Sequence, residues 1–123
     1  MRSKDLVALV EQALDDLKAV NTQTLEVSGL TSITDYMVIA SGTSDRHVRS
    51  MADNLLERTR DAGVDALGVE GHEFGEWVLV DLADVVVHIM QPRVRDFYKL
   101  ENLWNMDAMV DGPGDVPGAG AAR

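Results

Sequence analysis

The residues best placed to do chemistry in this chain are seven carboxylates between Arg60 and Arg93. They are Asp61, Asp65, Glu70, Glu73, Glu76, Asp81 and Asp84. No Lys or Arg falls in that interval, so nothing within it neutralises their charge. A surface of this sign repels phosphate groups and attracts basic protein. The pattern therefore favours docking onto a cationic protein.

Two of these carboxylates, Asp81 and Asp84, also suggest a divalent metal site. A spacing of three places them on opposite faces of a strand unless a turn intervenes. The three histidines show no ligand spacing such as H-x-x-x-H, and the absence of cysteine excludes thiol nucleophiles and thiolate ligands. A metal-dependent nucleotidyltransferase or phosphohydrolase is therefore the alternative to a binding protein. We expect neither a catalytic residue nor a metal or cofactor.

The polar stretch at 41–44, Ser-Gly-Thr-Ser, is a second candidate site. Backbone N–H groups between a strand and a helix can hold an anion. The stretch matches neither a Walker loop nor a dinucleotide fingerprint. Thr43 or Ser44 suits a helix N-cap and Asp45 suits a first turn, so a capped turn is the preferred interpretation.

Segments 76–82 and 84–90 predict an antiparallel hairpin with a corner near Ala83. Alternation places six aliphatic side chains on one face, which we predict faces the core: Val78, Val80, Leu82, Val85, Val87 and Ile89. The other face carries Trp77, Leu79, Asp81, Val86, His88 and Met90. This face is too polar for a core and too apolar for a surface that contacts only solvent. Trp and Met are typical of protein interfaces. We predict a partner-binding face, with coverage by a third helix and internal bonding of His88 as the alternative.

Three helices are predicted from apolar periodicity. The first covers about 4–20, where apolar side chains recur at steps of three and four. The second begins at the 43–44 cap and ends at Gly63, which suits a C-terminal cap. The third begins at Pro92. We expect one of its faces to carry Phe97, Leu100 and Trp104.

Strands are predicted at about 24–28, 35–40 and 66–70, followed by the two strands of the hairpin. The order α-β-β-α-β-β-β-α predicts a single α/β domain with a mixed five-stranded sheet flanked by helices. We assign this domain to residues 1–106. The Gly/Pro/Ala-rich segment 107–123 has almost nothing to bury, and we predict a disordered tail.

The net charge of −10 over 123 residues limits the partners. Affinity for nucleic acid comes largely from Lys and Arg at phosphates, so direct sequence-specific binding is not expected. No apolar run approaches the roughly 20 residues that span a bilayer. The N-terminus leads into an amphipathic pattern and not into a signal sequence. We therefore expect a cytoplasmic protein without a membrane partner.

Five blocks of this sequence are similar to one known family. The first, at 32–48, reads SITDYMVIASGTSDRHV, and the others follow in the family's order at 68–71, 76–81, 84–88 and 95–104. The chain resembles the ribosomal silencing factors, also called the Iojap family, over about residues 4–104. The tail lies outside the resemblance.

The resemblance implies a fold similar to nucleotidyltransferases without their activity. Those enzymes place a Gly-Ser element before a helix and two carboxylates two residues apart on a strand. Here Ser41-Gly42 inverts the first feature, and the spacing of Asp81 and Asp84 breaks the second. Both departures agree with a protein that is not an enzyme.

The resemblance also implies a partner. Family members bind ribosomal protein number fourteen of the large ribosomal subunit, block association of the two subunits and repress translation under nutrient limitation. A homodimer of the free protein is also implied. Carried onto this chain, the partner-binding residues are Trp77, Asp81, His88 and Tyr98, with Glu70 and Asp84 beside them; the hairpin face adds Leu79 and Met90.

Overall fold

A computed structural model describes residues 1–100 and Asn102. Its eight elements follow the predicted order, which is confirmed. Trp104 and the predicted tail, with its boundary at 106, lie outside the described residues. The elements are α1 (Ser3–Asp16), β1 (Val20–Glu26), β2 (Tyr36–Ser41), α2 (Asp45–Asp61), β3 (Gly68–Glu70), β4 (Trp77–Asp81), β5 (Val85–Met90) and α3 (Pro92–Tyr98).

The five strands form one mixed sheet in the order β1-β2-β5-β4-β3, as predicted for the fold class. Strands β2 and β5 pair in parallel, and every other pair is antiparallel. Strands β2 and β5 are almost continuously apolar, which suits strands covered on both faces. The short strand β3 and the polar strand β1 occupy the two edges.

Helices α1 and α2 pack on one face of the sheet, which we call the first face. The aliphatic face predicted for the hairpin lies in this core, and all six of its side chains are buried. Amphipathic stripes on both helices supply the rest of the core. Helix α1 ends at Asp16, before the predicted limit, and Lys18 then takes a left-handed φ of 62°.

The opposite side, which we call the second face, has a smaller core built around Met37, Ile39 and Met90. Val94 of α3 and Leu100 pack against it. The prediction that Phe97 and Leu100 share a helical face is wrong. The helix stops at Tyr98 because Lys99 adopts a left-handed conformation with φ of 50°, and Phe97 is left 79% exposed.

A buried arginine joins α3 to the edge of the sheet. Strand β1 begins earlier than predicted, with a bulge between Val20 and Gln23 and a left-handed Asn21. The Arg95 Nη1 donates to the carbonyl oxygen of Asn21 at 2.7 Å and to Ser41 Oγ at 3.0 Å. A bulge leaves a backbone group outside the ladder. The guanidinium satisfies that group and fixes the position of α3 on the second face.

Candidate protein-binding site

Strand pairing brings the predicted partner-binding residues of the hairpin onto the second face. Trp77 lies opposite Met90, Leu79 opposite His88, and Asp81 opposite Val86. Strand β3 adds Glu70, which lies opposite Leu79. Side chains that are register partners share one face of a sheet. The predicted alternation, which placed these hairpin residues on one face, is therefore confirmed.

Their exposure differs from the prediction at two positions. Met90 is fully buried and His88 is only 7% exposed. Val94 and Leu100 cover the Met90 end, while His88 bonds internally to Trp77. The expectation of an open face is wrong there, because α3 folds back over the end of β5. Partial exposure remains for the other four members of the hairpin face: Trp77, Leu79, Asp81 and Val86.

Trp77 is held by aromatic neighbours on two sides. Its Nε1 donates to Nδ1 of His88 at 2.9 Å, and the two rings lie 5.8 Å apart. The ring of Tyr98 lies 4.8 Å away on α3 and is itself joined edge-on by Phe97. We call Trp77, His88, Phe97 and Tyr98 the aromatic patch. Its outer members are open to solvent, with Tyr98 52% exposed.

The buried position of His88 determines its charge. Burial lowers the pKa of the imidazole from 6.5 to about 4, because the cation would lose hydration. The ring is therefore neutral near pH 7. Trp Nε1 is only a donor, so Nδ1 of His88 must offer a lone pair to it. The hydrogen bond from Trp77 thus indicates a neutral His88 ring independently of the pKa.

An open groove of about 510 Å³ runs beside Trp77, between α3 and the start of β4. Arg93 and Glu76 form an exposed ion pair across it at 3.5 Å. Sequence reasoning missed the groove and its exposed Phe97. The adjacent aromatic pair Phe97-Tyr98 after a helix that begins at a proline was an available signal. The lining residues are Glu76, Trp77, Arg93, Val94, Phe97 and Tyr98.

The candidate carboxylates have different environments. Glu70 and Asp84 are exposed, whereas Asp81 is half-buried. The Asp81 Oδ1 accepts from the backbone N–H of Ala83 at 2.9 Å, where Ala83 takes a left-handed φ of 71°. Asp81 therefore stabilises the β4–β5 turn. Over residues 1–100 and Asn102, no three His, Asp or Glu side chains are grouped as metal ligands.

The 41–44 stretch is a capped turn, as preferred from the sequence. Ser44 Oγ accepts from the backbone N–H of His47 at 3.0 Å, and Thr43 donates its N–H to Nδ1 of His47 at 2.9 Å. The Nε2 of His47 lies 2.7 Å from the carbonyl oxygen of Leu17. His47 therefore joins the start of α2 to the end of α1.

Comparison with known proteins agrees with this architecture. The chain matches the family model described as "Ribosomal silencing factor during starvation" over residues 1–121. It is 46% identical to a ribosomal silencing factor of Chromobacterium violaceum over 104 residues, which are 85% of each chain. It is 44% identical to that of Haemophilus influenzae over 80% of this chain and 97% of the relative.

A solved structure extends the likeness to three dimensions. A crystal structure of a Chromobacterium violaceum protein superposes with a TM-score of 0.85 at 43% identity. The match covers 97% of this chain and 96% of that one. In the part of the chain described here, no helix combines the length and apolar character needed to cross a membrane. From these matches, the chain belongs to the family of ribosomal silencing factors.

Proposed function

We propose that this chain represses translation in the cytoplasm by binding the large ribosomal subunit through ribosomal protein number fourteen. Bound there, it sterically blocks joining of the small subunit when nutrients are limited. No catalytic step, metal or cofactor is needed, because occupancy of the joining surface is enough. The single observation that supports this most directly is the partly exposed Trp77, held between His88 and Tyr98.

The aromatic patch has the features of a binding hot spot. Trp and Tyr dominate the energetics of many protein interfaces. Trp77 is already fixed by a hydrogen bond and by ring contacts on two sides, so little side-chain freedom remains to be lost on binding. A pre-organised indole beside an open groove suits apolar contact with a partner.

Two exposed carboxylates on the hairpin side of the sheet support a basic partner. Glu70 and Asp84 are exposed, and the interval between Arg60 and Arg93 contains no cation to neutralise them. Ribosomal proteins meet ribosomal RNA through basic surfaces, and an acidic chain is attracted to such surfaces. These carboxylates act mainly on the rate and orientation of the encounter. The aromatic patch then supplies most of the affinity.

The test is gradient sedimentation of separated ribosomal subunits with and without the protein. We expect the wild-type protein to co-sediment with large subunits and to lower the fraction of joined particles. Trp77→Ala should lose both effects. Ile33→Ala is the matched control, because it also removes an exposed apolar side chain, in the loop between β1 and β2. Joined particles unchanged by saturating wild-type protein would reject the function.

Self-association is the second part of the proposal. A free homodimer that uses the second face would hide the aromatic patch until the ribosome competes for it. Sedimentation velocity over a range of concentrations would detect the dimer. We expect Trp77→Ala to weaken it together with ribosome binding. A dimer unaffected by Trp77→Ala would place the self-association surface elsewhere.

A further inference from the structure

The groove beside Trp77 has a wall that is largely apolar and open to solvent. Trp77 forms the sheet side of this wall, and Val94, Phe97 and Tyr98 form the α3 side. Phe97 is 79% exposed and Tyr98 is 52% exposed. The volume of about 510 Å³ lies within the usual range of ligand clefts, about 300–1,000 Å³. The groove is therefore large enough to receive a bulky apolar side chain.

The described part of the chain ends next to this groove. Helix α3 stops at Tyr98, and the left-handed Lys99 turns the backbone out of the helix. The N–H of Asn102 then donates to the carbonyl oxygen of Lys99 at 3.0 Å. Leu100 packs against the core of the second face, which anchors this exit. The residues that follow Asn102 therefore start within reach of the groove wall.

The residues that follow are rich in large apolar side chains. Segment 103–110 reads Leu-Trp-Asn-Met-Asp-Ala-Met-Val, whereas 111–123 contains one branched aliphatic residue, Val116. Trp and Met are enriched at protein interfaces. Eight extended residues span up to about 26 Å, so Trp104 and Met106 can both reach the groove. The chain thus carries its own candidate occupant beside the opening.

Charge favours the same pairing. Arg93 and Lys99 are exposed on the α3 side of the groove. Residues 103–122 contain three Asp and no Lys or Arg, and the first of these carboxylates is Asp107. Opposite charges attract the two segments. A basic partner suits the carboxylates of the hairpin, whereas an acidic segment with apolar side chains suits the α3 side of the groove.

We propose that segment 103–110 docks into this groove in the free protein and covers the aromatic patch. A weak contact is sufficient, because a short tether gives an effective concentration in the millimolar range. The large subunit must then displace the segment, so its apparent affinity falls with the fraction of chains whose groove is open. This regulation rests on the proposed function, since it acts on the same site. The docking itself is measurable without ribosomes.

A spin label on the tail tests the docking directly. The chain contains no cysteine, so Gly112→Cys gives a single attachment site for a nitroxide. We expect the label to broaden the indole N–H resonance of Trp77. Adding Trp104→Ser with Met106→Ser should relieve the broadening. Val116→Ser is the matched control, because it removes an apolar side chain outside segment 103–110, and it should leave the broadening unchanged.

Affinity for purified large subunits tests the consequence for binding. We expect Trp104→Ser with Met106→Ser, in the chain without the label, to bind about three- to tenfold more tightly than wild type. That range corresponds to an open groove in about a tenth to a third of free chains. Val116→Ser should bind like wild type. All these variants keep the net charge of −10, so electrostatic steering cannot cause a difference between them.

Three results would overturn the inference. The first is broadening of Trp77 that is absent, or that persists in the double Ser variant. The second is equal broadening when spin-labelled chains are mixed with separate isotope-labelled chains, which would show contact between two molecules. The third is unchanged or weaker affinity of the double Ser variant. Failure of the wild type to bind large subunits would instead reject the proposed function, while the spin label still decides the docking.

Discussion

The indole N–H of Trp77 and the Nδ1 of His88 join diagonal positions of neighbouring strands at 2.9 Å. Trp77 pairs in register with Met90, two residues along from His88 on β5. Aromatic side chains can reach such diagonal neighbours across an antiparallel pair. One bond therefore joins the partly exposed Trp77 to His88, which is only 7% exposed.

Truncation of Trp77 should remove much of the affinity for the large subunit. We expect Trp77→Ala to weaken binding by about 2–4 kcal/mol, as for a central aromatic hot spot. Trp77→Phe should lose less, because it keeps an aromatic ring beside Tyr98 but not the bond to His88. Titration with purified large subunits measures both. Affinity of a folded Trp77→Ala equal to wild type would remove this residue from the interface.

Stability should decrease in acid because of His88. Its folded pKa of about 4 lies below the unfolded value of 6.5. The unfolded chain therefore binds a proton first as the pH falls. The stabilisation is fully present above about pH 6.5 and is lost as the pH falls to about 4. Between pH 7 and 4.5 we expect a loss of about 2–3 kcal/mol in the free energy of unfolding, measured with urea.

His88→Asn is the matched control for this pH dependence. It keeps an acceptor for Trp77 but cannot titrate, while His47, His72 and the carboxylates are unchanged. The difference in unfolding free energy between wild type and variant should therefore shrink or reverse on acidification. A difference that stays constant between pH 7 and 4.5 would contradict a lowered pKa at His88.

Loss of Arg95 should release α3 from the sheet. Arg95→Met removes the guanidinium that bonds Asn21 and Ser41 and leaves a backbone carbonyl at the bulge without that donor. We expect a cost of about 2–4 kcal/mol in unfolding free energy, since bonds to charged groups are strong and buried unmade ones are costly. Arg93→Met is the control, because its ion pair with Glu76 is exposed and worth less than about 1 kcal/mol. Equal effects of the two variants would contradict the anchoring role.

The backbone of Trp77 lies so close to Gly71 that no side chain fits there. Gly71 has a φ of 83°, and a Cβ there would lie 2.0 Å from the carbonyl oxygen of Trp77. Gly71→Ala should therefore destabilise the chain by about 3 kcal/mol or more, through backbone strain and the clash. Gly29→Ala is the control, because a Cβ there meets nothing within 4 Å. Thermal unfolding of both variants tests this, and a Gly71→Ala melting temperature equal to wild type would contradict it.

Removal of the exposed carboxylates should slow association with the ribosome. We expect Glu70→Gln with Asp84→Asn to lower the association rate about two- to fivefold at low salt, with little effect on dissociation. The difference should fade as salt screens the charges. Asp15→Asn with Glu57→Gln removes the same charge from the helical side of the molecule. Equal slowing by both pairs would mean that net charge, and not position, sets the rate.

Local sequence patterns were enough to predict the order of the elements and the core face of the hairpin. Period-two alternation separates Val78 and Val80 from Trp77 and Leu79 wherever the sheet lies in the molecule. The cap at Ser44 is equally local, since its oxygen bonds a backbone group three residues away. The family could also be inferred, because its blocks lie in order along the chain.

The burial of the second face depends on the position of α3, which follows β5. Sequence alternation grouped His88 and Met90 with exposed neighbours, but Val94 of α3 and Leu100 pack against Met90, and Trp77 bonds to His88. The position of α3 is set by Arg95, which bonds a residue 74 positions earlier in the chain. The left-handed conformation of Lys99 ends α3, so the helical periodicity that predicted a buried Phe97 does not continue.

Residue order alone was thus enough to predict which side chains share a face, because that depends on dihedral angles repeated along a short segment. Which members of that face remain accessible, and that His88 is only 7% exposed beside Trp77, followed only from the folded chain. Those properties depend on contacts between distant segments, such as α3 with the bulge of β1. No local period along the chain encodes such contacts.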